Sequence, residues 1–381
     1  VRRRMRGVAV AAIALTSVMT MAACAKDTGG SGNNSNTGSG AACEYATPPT
    51  ASATSSTSAA NGDKVDASAL KIGLAYDIGG RGDASFNDSA AAGLDKAIAD
   101  MGVKKENTRE LSAAPNEDES AKQTRLRQLA GEGFNPIIGV GFAYAESLKV
   151  VAPEFPDVKF ALVDGTVEGA TNVTPLLFAE HEGSFLAGVI AAYQSKKCHV
   201  GFVGGVEIPL IQKFEAGYAQ GAKAAAPNIK VESKYITPAG DFSGFQDAPK
   251  GQEAAKGQID AGADVIYQAA GASGKGVFSA AKQGNVLAIG VDADQYNQAT
   301  VADTKDVIVS SMLKRVDVAV YDFVAAVAKN DLSSLPKVFD LKSDGVGYAT
   351  SGGKIDAKLQ EILEGYKAQI IEGKISVKDT P

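Results

Sequence analysis

Asp77, Phe86 and Asn87 fall within one stretch, Lys71 to Lys96, KIGLAYDIGGRGDASFNDSAAAGLDK. A carboxylate accepts hydrogen bonds from hydroxyl or amine donors, and an aromatic ring offers a flat apolar face. Two further aspartates, Asp164 and Asp292, end the apolar runs VKFALVD (158–164) and VLAIGVD (286–292), and Gly271 ends DVIYQAAG. Plainer roles stand beside these. Asp77 could cap the turn that follows it, as aspartates often do. Phe86 could plug a core, and the loop glycines could serve steric ends alone. The glycines also invite a test for a dinucleotide fingerprint, which fails. GGRGDA does not fit G-x-G-x-x-G, because a glycine pair leads and the third glycine comes too early. The two histidines, His181 and His199, stand 18 residues apart without metal-type spacing, so structural roles suit both.

Bringing such groups together requires strand ends. Ile72 to Tyr76 has the length and bulk of a buried strand, and Ala90, Leu94, Ala97 and Ile98 share one face of a following helix. In a parallel α/β sheet, strand, glycine loop and helix gather polar groups at the strand's carboxyl end, where helix N-terminal amides also point. The same alternation continues. LSAAPNEDES reads as a turn-rich loop, AKQTRLRQL (121–129) as a charged helix and IIGVGF (137–142), after Asn135-Pro136, as a strand. AYAESLKVVAPEFP then reads as a helix closed by prolines, before the strand that ends on Asp164.

A second series starts near Ala179 with the helix EGSFLAGVIAAYQ. Strands follow at HVGFVGG, KVESKYI, DVIYQAAG and VLAIGVD, separated by helices and by the loop GDFSGFQDAPKG. KDVIVSSMLKRVDVAVYDFVAAVAK adds a strand and a long helix that crosses back to the first series. EILEGYKAQIIEGKISV closes the chain as a helix and a short strand. No hairpin signals interrupt this order, which argues for parallel sheets covered on both faces. Two such lobes face their strand tips across a cleft, a usual place for a small-molecule site.

Composition narrows the options. At 381 residues the chain can hold two or three domains. A net charge of −6, with no basic cluster beyond the first six residues, gives no sign of nucleic-acid binding. Arg2, Arg3, Arg4 and Arg6 precede an apolar run from Gly7 to Met19 and the small residues Ala22 and Ala23, the layout of a signal peptide over residues 1–24. That run is too short to span a bilayer comfortably. Residues 25–69 are Gly, Ser, Thr, Asn, Ala and Pro with few bulky apolar side chains, so a disordered tether is expected. An exported setting permits a disulfide between the other two cysteines, Cys43 and Cys198, whose separation in space the sequence leaves open.

Taken together, Cys24 after its small residues resembles the lipobox of bacterial lipoproteins, with Met21 where Leu is usual. SFNDSAAAGL, EGSFLAGVIAA, KFEAGYAQGAK, GADVIYQAAGASGKGVFSAAK, AIGVDADQ and SSMLKRVD, in that order, resemble the basic membrane protein (BMP) family of substrate-binding lipoproteins. The resemblance implies a type I periplasmic-binding-protein fold, α/β, with two Rossmann-like lobes of parallel sheet joined by a hinge. It places the first lobe at 70–176 plus about 313–345, and the second at 177–312 plus about 346–381. It further implies an extracytoplasmic receptor, lipid-anchored to the cell membrane through Cys24, that serves an ABC permease and its ATPase without a cofactor.

The ligand implied is a nucleoside, a purine one in the better understood members, with riboflavin or a sugar as the alternatives within the same receptor class. Residue by residue, Asp77 and Phe86 match the base contacts, with Asn87 beside them. Asp292 of GVDAD and Lys314 of SMLKR match the ribose-binding pair, while Asp164 could accept from base or sugar. Gly271 lets backbone approach the ligand. Phe242 is favoured over Phe214 as the second stacking ring, with Phe214 and Phe142 lining the cleft. Alternatives remain open. Asp292 and Lys314 could instead form a hinge ion pair, and either Phe could be core. An exported nucleoside-acting enzyme and a ligand sensor are the rival classes, the former without a G-x-S-x-G elbow or a metal-ligand cluster.

Overall fold

The computed structural model describes residues 42–50, 65–115 and 117–381. Cys24, the rest of the expected signal peptide and most of the expected tether lie outside the described residues. The first sheet is built from β1 (Ile72–Tyr76), β2 (Thr108–Ser112), β3 (Ile137–Val140), β4 (Phe160–Val163) and β5 (Val173–Leu176). All five strands run parallel in the order β2-β1-β3-β4-β5. The period-2 alternation of strand side chains divides its core in two. Ile72, Leu74, Ala161 and Val163 face α1 (Phe86–Met101), while Ala75, Phe160 and Leu162 face α2 (Glu119–Gly131) and α3 (Ala145–Val151).

The second lobe begins with α4 (Glu180–Gln194), β6 (His199–Val206), α5 (Pro209–Ala225) and β7 (Lys230–Thr237). It continues through α6 (Ala248–Asp260), β8 (Val265–Ala269), α7 (Gly274–Gln283), β9 (Leu287–Asp292) and β10 (Ile308–Lys314). Helix α8 (Val316–Ala328) follows, then β11 (Val346–Tyr348) and α9 (Ala357–Ile371). The sheet order is β11-β10-β9-β8-β6-β7, parallel except where β11 pairs antiparallel with β10. Helices α4 and α5 pack backbone to backbone. A Cβ on Gly188 would lie 2.1 Å from the Tyr218 carbonyl oxygen, and one on Gly221 1.9 Å from that of Phe185.

Helix α8 returns to the first lobe and packs on α1. A Cβ on Gly93 would meet the Asp317 carbonyl oxygen at 2.4 Å, and the Asp317 amide donates to Ser89 Oγ at 3.2 Å. The chain passes between the lobes after β5, again between Lys314 and Val316, and again near Phe339, whose amide donates to the Leu177 carbonyl at 2.7 Å.

Several local expectations need correction. Strands β2 and β5 are edge strands in which Leu176 alone is fully buried, so neither carries a strong apolar run. The start of the supposed loop LSAAPNEDES is the end of β2. The helix read from AYAESLKVVAPEFP is regular only over Ala145–Val151, with single tight turns on either side. The terminal KISV segment forms no strand. Instead Gln220 of α5 holds it, donating to the Ser376 carbonyl and accepting from the Lys378 amide.

The tether expectation also fails over residues 42–50, which lie along the second lobe. Cys43 and Cys198 form a disulfide, with their Cα atoms 5.0 Å apart. Asn228 brackets the segment by accepting from the Glu44 amide and donating to the Ala42 carbonyl. Tyr45 stacks on Tyr193 at 4.8 Å, and the Ala46 amide donates to the Ala225 carbonyl at 2.9 Å. A covalent bond, a ring pair and paired backbone groups offset the ordering entropy that composition alone leaves uncompensated. Among the described residues, no helix is long and apolar enough to cross a membrane.

Candidate functional site

In the first sheet the strand order reverses between β1 and β3, and in the second between β8 and β6. Crevices at the carboxyl ends of such strands are where open α/β sheets hold ligands. Here the two crevices face each other across one partly open cleft. Asp77 leaves β1, Phe86 and Asn87 open α1, Phe142 follows β3 and Asp164 follows β4. Opposite them, Phe214 projects from α5, Phe242 follows β7 and Gly271 follows β8, while Asp292 and Lys314 end β9 and β10. All ten candidates line this one cleft.

Lys314 is the electrostatic centre, only 1% exposed. Its ammonium donates to Asp164 Oδ2 at 2.5 Å and lies 3.6 Å from Glu180 Oε1. Three rings surround it, with centroids at 5.0 Å (Phe86), 5.2 Å (Phe178) and 5.7 Å (Phe214). Burial opposes the charge, yet Asp164, Glu180 and Asp292 hold the Lys314 pKa above its ordinary value. Burial pushes Asp164 up to about 6 against the pull of that ammonium. Asp164 Oδ1 is buried without a hydrogen-bond partner, an acceptor left open at the cleft wall. The alternative of an Asp292–Lys314 hinge pair is not what forms, since the ion-pair partners of Lys314 are Asp164 and Glu180.

Asp292 instead accepts from Ser85 Oγ of the opposite lobe at 2.5 Å. Burial raises it to about 6, against the attraction of Lys314 and the Ser85 bond. Asp164 and Asp292 both sit in the left-handed backbone region, at φ 65° and 63°. That conformation is uncommon outside glycine but several-fold enriched in Asp and Asn, and here it turns both carboxylates off the strand ends.

On the first lobe's side of the cleft, Asp77 is also raised to about 6 by burial, opposed by its bond from the Ile78 amide at 2.7 Å. The turn-capping role is therefore real, and Asp77 lines the cleft as well. A Cβ on Gly141, at φ 115°, would stand 2.8 Å from Asp77 Oδ2, so glycine leaves that carboxylate its room. Asn87 donates to the Ile78 carbonyl and to Asp83 Oδ2, and its own Oδ1 is buried without a partner.

Aromatic rings line the same cleft beside these polar groups. Phe142 and Phe242, from opposite lobes, meet edge to face at 5.6 Å. Phe214 is 3% exposed and lies under Lys314, whereas Phe242 is only half-buried. Three contributors escaped the sequence reading. Phe245 lines the cleft from the loop that carries Phe242. Asp83 accepts from the amides of Ser85, Asn87 and Asp88 and so fixes the start of α1. Glu180 tethers Lys314 from α4. The GDFSGF and GGRGD segments signalled the first two as loop residues, but nothing local marks Glu180, whose partner is far along the chain. Among the described residues, no group of His, Cys, Asp and Glu is placed to hold a metal ion.

Two lobes built on parallel strands, crossed by the chain at several points and facing across a cleft lined by aromatic rings and carboxylates, define a solute-binding protein of the type I periplasmic fold. A family profile described as "ABC transporter substrate-binding protein PnrA-like" matches residues 69–380, and the chain belongs to that family. It is 33% identical over 322 residues to the ABC transporter nucleoside-binding protein BmpA of Lactococcus lactis subsp. cremoris, covering 81% of this chain and 89% of that one. It is 36% identical over 297 residues to an uncharacterized lipoprotein of Pyrococcus abyssi, covering 75% and 70%. An ABC transporter solute-binding protein of Aeropyrum pernix K1 superposes with a TM-score of 0.70 at 27% identity, covering 82% of this chain and 94% of that one.

Proposed function

We propose that this protein is the extracytoplasmic, lipid-anchored receptor of an ABC importer, and that its cleft closes on a purine nucleoside. The observation that carries the ligand assignment is the division of the cleft. Phe86, Phe142 and Phe242 border an apolar slot suited to a flat base, with the buried Asp164–Lys314–Asp292 group beside it. A nucleoside needs a stacking surface, acceptors for base N–H groups and for the ribose diol, and a donor to the ribose oxygens. The unpartnered Asp164 Oδ1 and Asn87 Oδ1 offer one acceptor each, and Lys314 is the donor. The nucleoside-binding relative supports the same assignment. The lipoprotein relative supports the anchor at Cys24, with an ABC permease and its ATPase as partners.

Ligand binding to the native state raises its stability by mass action. Thermal unfolding with guanosine, inosine, adenosine, free bases, riboflavin and sugars therefore tests the assignment. Guanosine or inosine should raise the melting temperature and be recovered intact, since delivery needs no turnover. No shift with any nucleoside at millimolar concentration refutes the ligand, and release of free base refutes the receptor reading. Mass spectrometry of the membrane-extracted protein checks the anchor: acyl chains on Cys24 support it, and an unmodified Cys24 refutes it.

A further inference from the structure

The loop between β1 and α1 belongs to the first lobe by sequence, yet its tip is seated in the second. Ala84 is fully buried, and its methyl group joins an apolar cluster whose other members all come from the second lobe, Phe278, Ala288 and Ile308 among them. The Ala84 carbonyl accepts from Gln295 Nε2 at 2.8 Å. Gln295 is 1% exposed and its amide has one possible orientation. Its Oε1 already accepts from Gln268 Nε2 at 2.8 Å and from the Val291 amide at 2.9 Å, so Nε2 must face Ala84. Two outer bonds flank this contact: Lys275 Nζ donates to the Gly82 carbonyl, and Ser85 Oγ to Asp292.

Neither Ala84 nor Gln295 lines the cleft, but the residues on either side of the seated tip, Asp83 and Phe86, do. We propose that Ala84 and Gln295 form a closure latch, which sets ligand affinity by holding the first lobe's loop in a socket of the second without touching the ligand. Lobe separation would strip Ala84 of its apolar socket and leave its carbonyl and the Gln295 amide without each other. The seated arrangement is therefore two-state, either docked or not. A binding site assembled only in the docked state has its apparent Kd multiplied by the inverse of the docked fraction. Ala84 takes the left-handed backbone (φ 64°), which presents its side chain to the socket at the end of a glycine-rich loop.

Two substitutions separate the latch from the fold. Ala84→Asn tolerates the left-handed backbone but carries a larger, polar group that the apolar socket does not accept. Gln295→Glu keeps an acceptor for Gln268 and Val291 but turns the donation to Ala84 into a carboxylate oxygen set against the Ala84 carbonyl. Each should weaken guanosine binding, read by calorimetry, by about 5- to 100-fold, the range for one unsatisfied buried polar group. Faster dissociation should account for the loss. In ligand-free protein, hydrogen exchange should quicken in residues 79–86 while the strands of both sheets keep wild-type protection. The affinity arm rests on the nucleoside reading above, and the exchange arm does not. Should wild-type protein bind no nucleoside, that reading fails, and exchange of 79–86 still decides the latch. Wild-type exchange of that loop in both variants overturns it, whatever the affinities. Wild-type affinity in both variants of a guanosine-binding protein overturns it equally.

Discussion

Replacing Asp292 by Asn separates binding from stability in opposite directions. Asn keeps an acceptor for the Ser85 hydroxyl and suits the left-handed backbone at φ 63°. What it removes is a buried negative charge. The Asp292 carboxyl is raised from 3.8 to about 6, chiefly by burial. At ~1.36 kcal/mol per pH unit that gap corresponds to about 3 kcal/mol. The sign follows from linkage: the folded state binds the proton more tightly than the unfolded chain. Stability from this group is full below pH ~4 and is lost as pH rises through about 6. Above pH 7 the wild type bears the whole penalty, and Asp292→Asn escapes it.

Ligand-free Asp292→Asn should therefore be more stable than wild type at pH 7.5 by up to about 3 kcal/mol, with the difference vanishing near pH 4. Its affinity should move the other way. If the proposed nucleoside sets its ribose diol on Asp292, losing that charge-assisted hydrogen bond costs about 1.5–3 kcal/mol, roughly ten- to a hundredfold in Kd. 2′,3′-Dideoxyguanosine lacks the diol and should lose much less. Urea denaturation at the two pH values and calorimetry with both nucleosides read these quantities. A less stable ligand-free variant at pH 7.5, with equal loss for both ligands, would refute the reasoning and make Asp292 a structural group.

The remaining expectations concern the neighbours. Lys314→Met leaves Asp164 buried without its cation and Glu180 with Lys213 alone, so denaturant unfolding at pH 7.5 should show a loss of about 3–5 kcal/mol. A loss below 1 kcal/mol would mean the ammonium is dispensable to the fold. Phe242→Ala should weaken guanosine binding by about 1–3 kcal/mol, the usual worth of one stacking ring, with little change in melting temperature. Unchanged calorimetric affinity would shift the stacking role to another ring. Cys43→Ser should cost about 2–4 kcal/mol while leaving guanosine affinity unchanged, because residues 42–50 do not line the cleft. A Kd that follows the disulfide would show that segment 42–50 and the cleft communicate.

Much of the architecture was legible from local pattern. Runs such as Ile72–Tyr76 and Phe160–Val163 are apolar at every position because both faces of a parallel strand are covered, and that signal survives without knowledge of the partners. Asp77, Asp164 and Asp292 declared themselves by ending such runs, since a carboxylate at a strand's carboxyl end has few places to point other than the crevice. Each candidate so marked does reach the cleft wall. Edge strands β2 and β5 lacked that signal because their exposed sides tolerate polar residues.

Pairing across the chain was decided by tertiary structure alone. That Lys314 takes Asp164 and Glu180 rather than Asp292 depends on how the lobes close, since 150 and 134 residues separate the partners, and no spacing rule encodes that closure. The segment 42–50 reads as unfoldable on composition because its order comes from Cys198, Tyr193 and Asn228, none of them local. Ala84 is the extreme case. A small residue in a glycine-rich loop carries no sign of burial, and only the second lobe's socket makes it a core residue. Sequence specifies the faces each element must bury, whereas the contacts that join one lobe to the other exist only once both have folded.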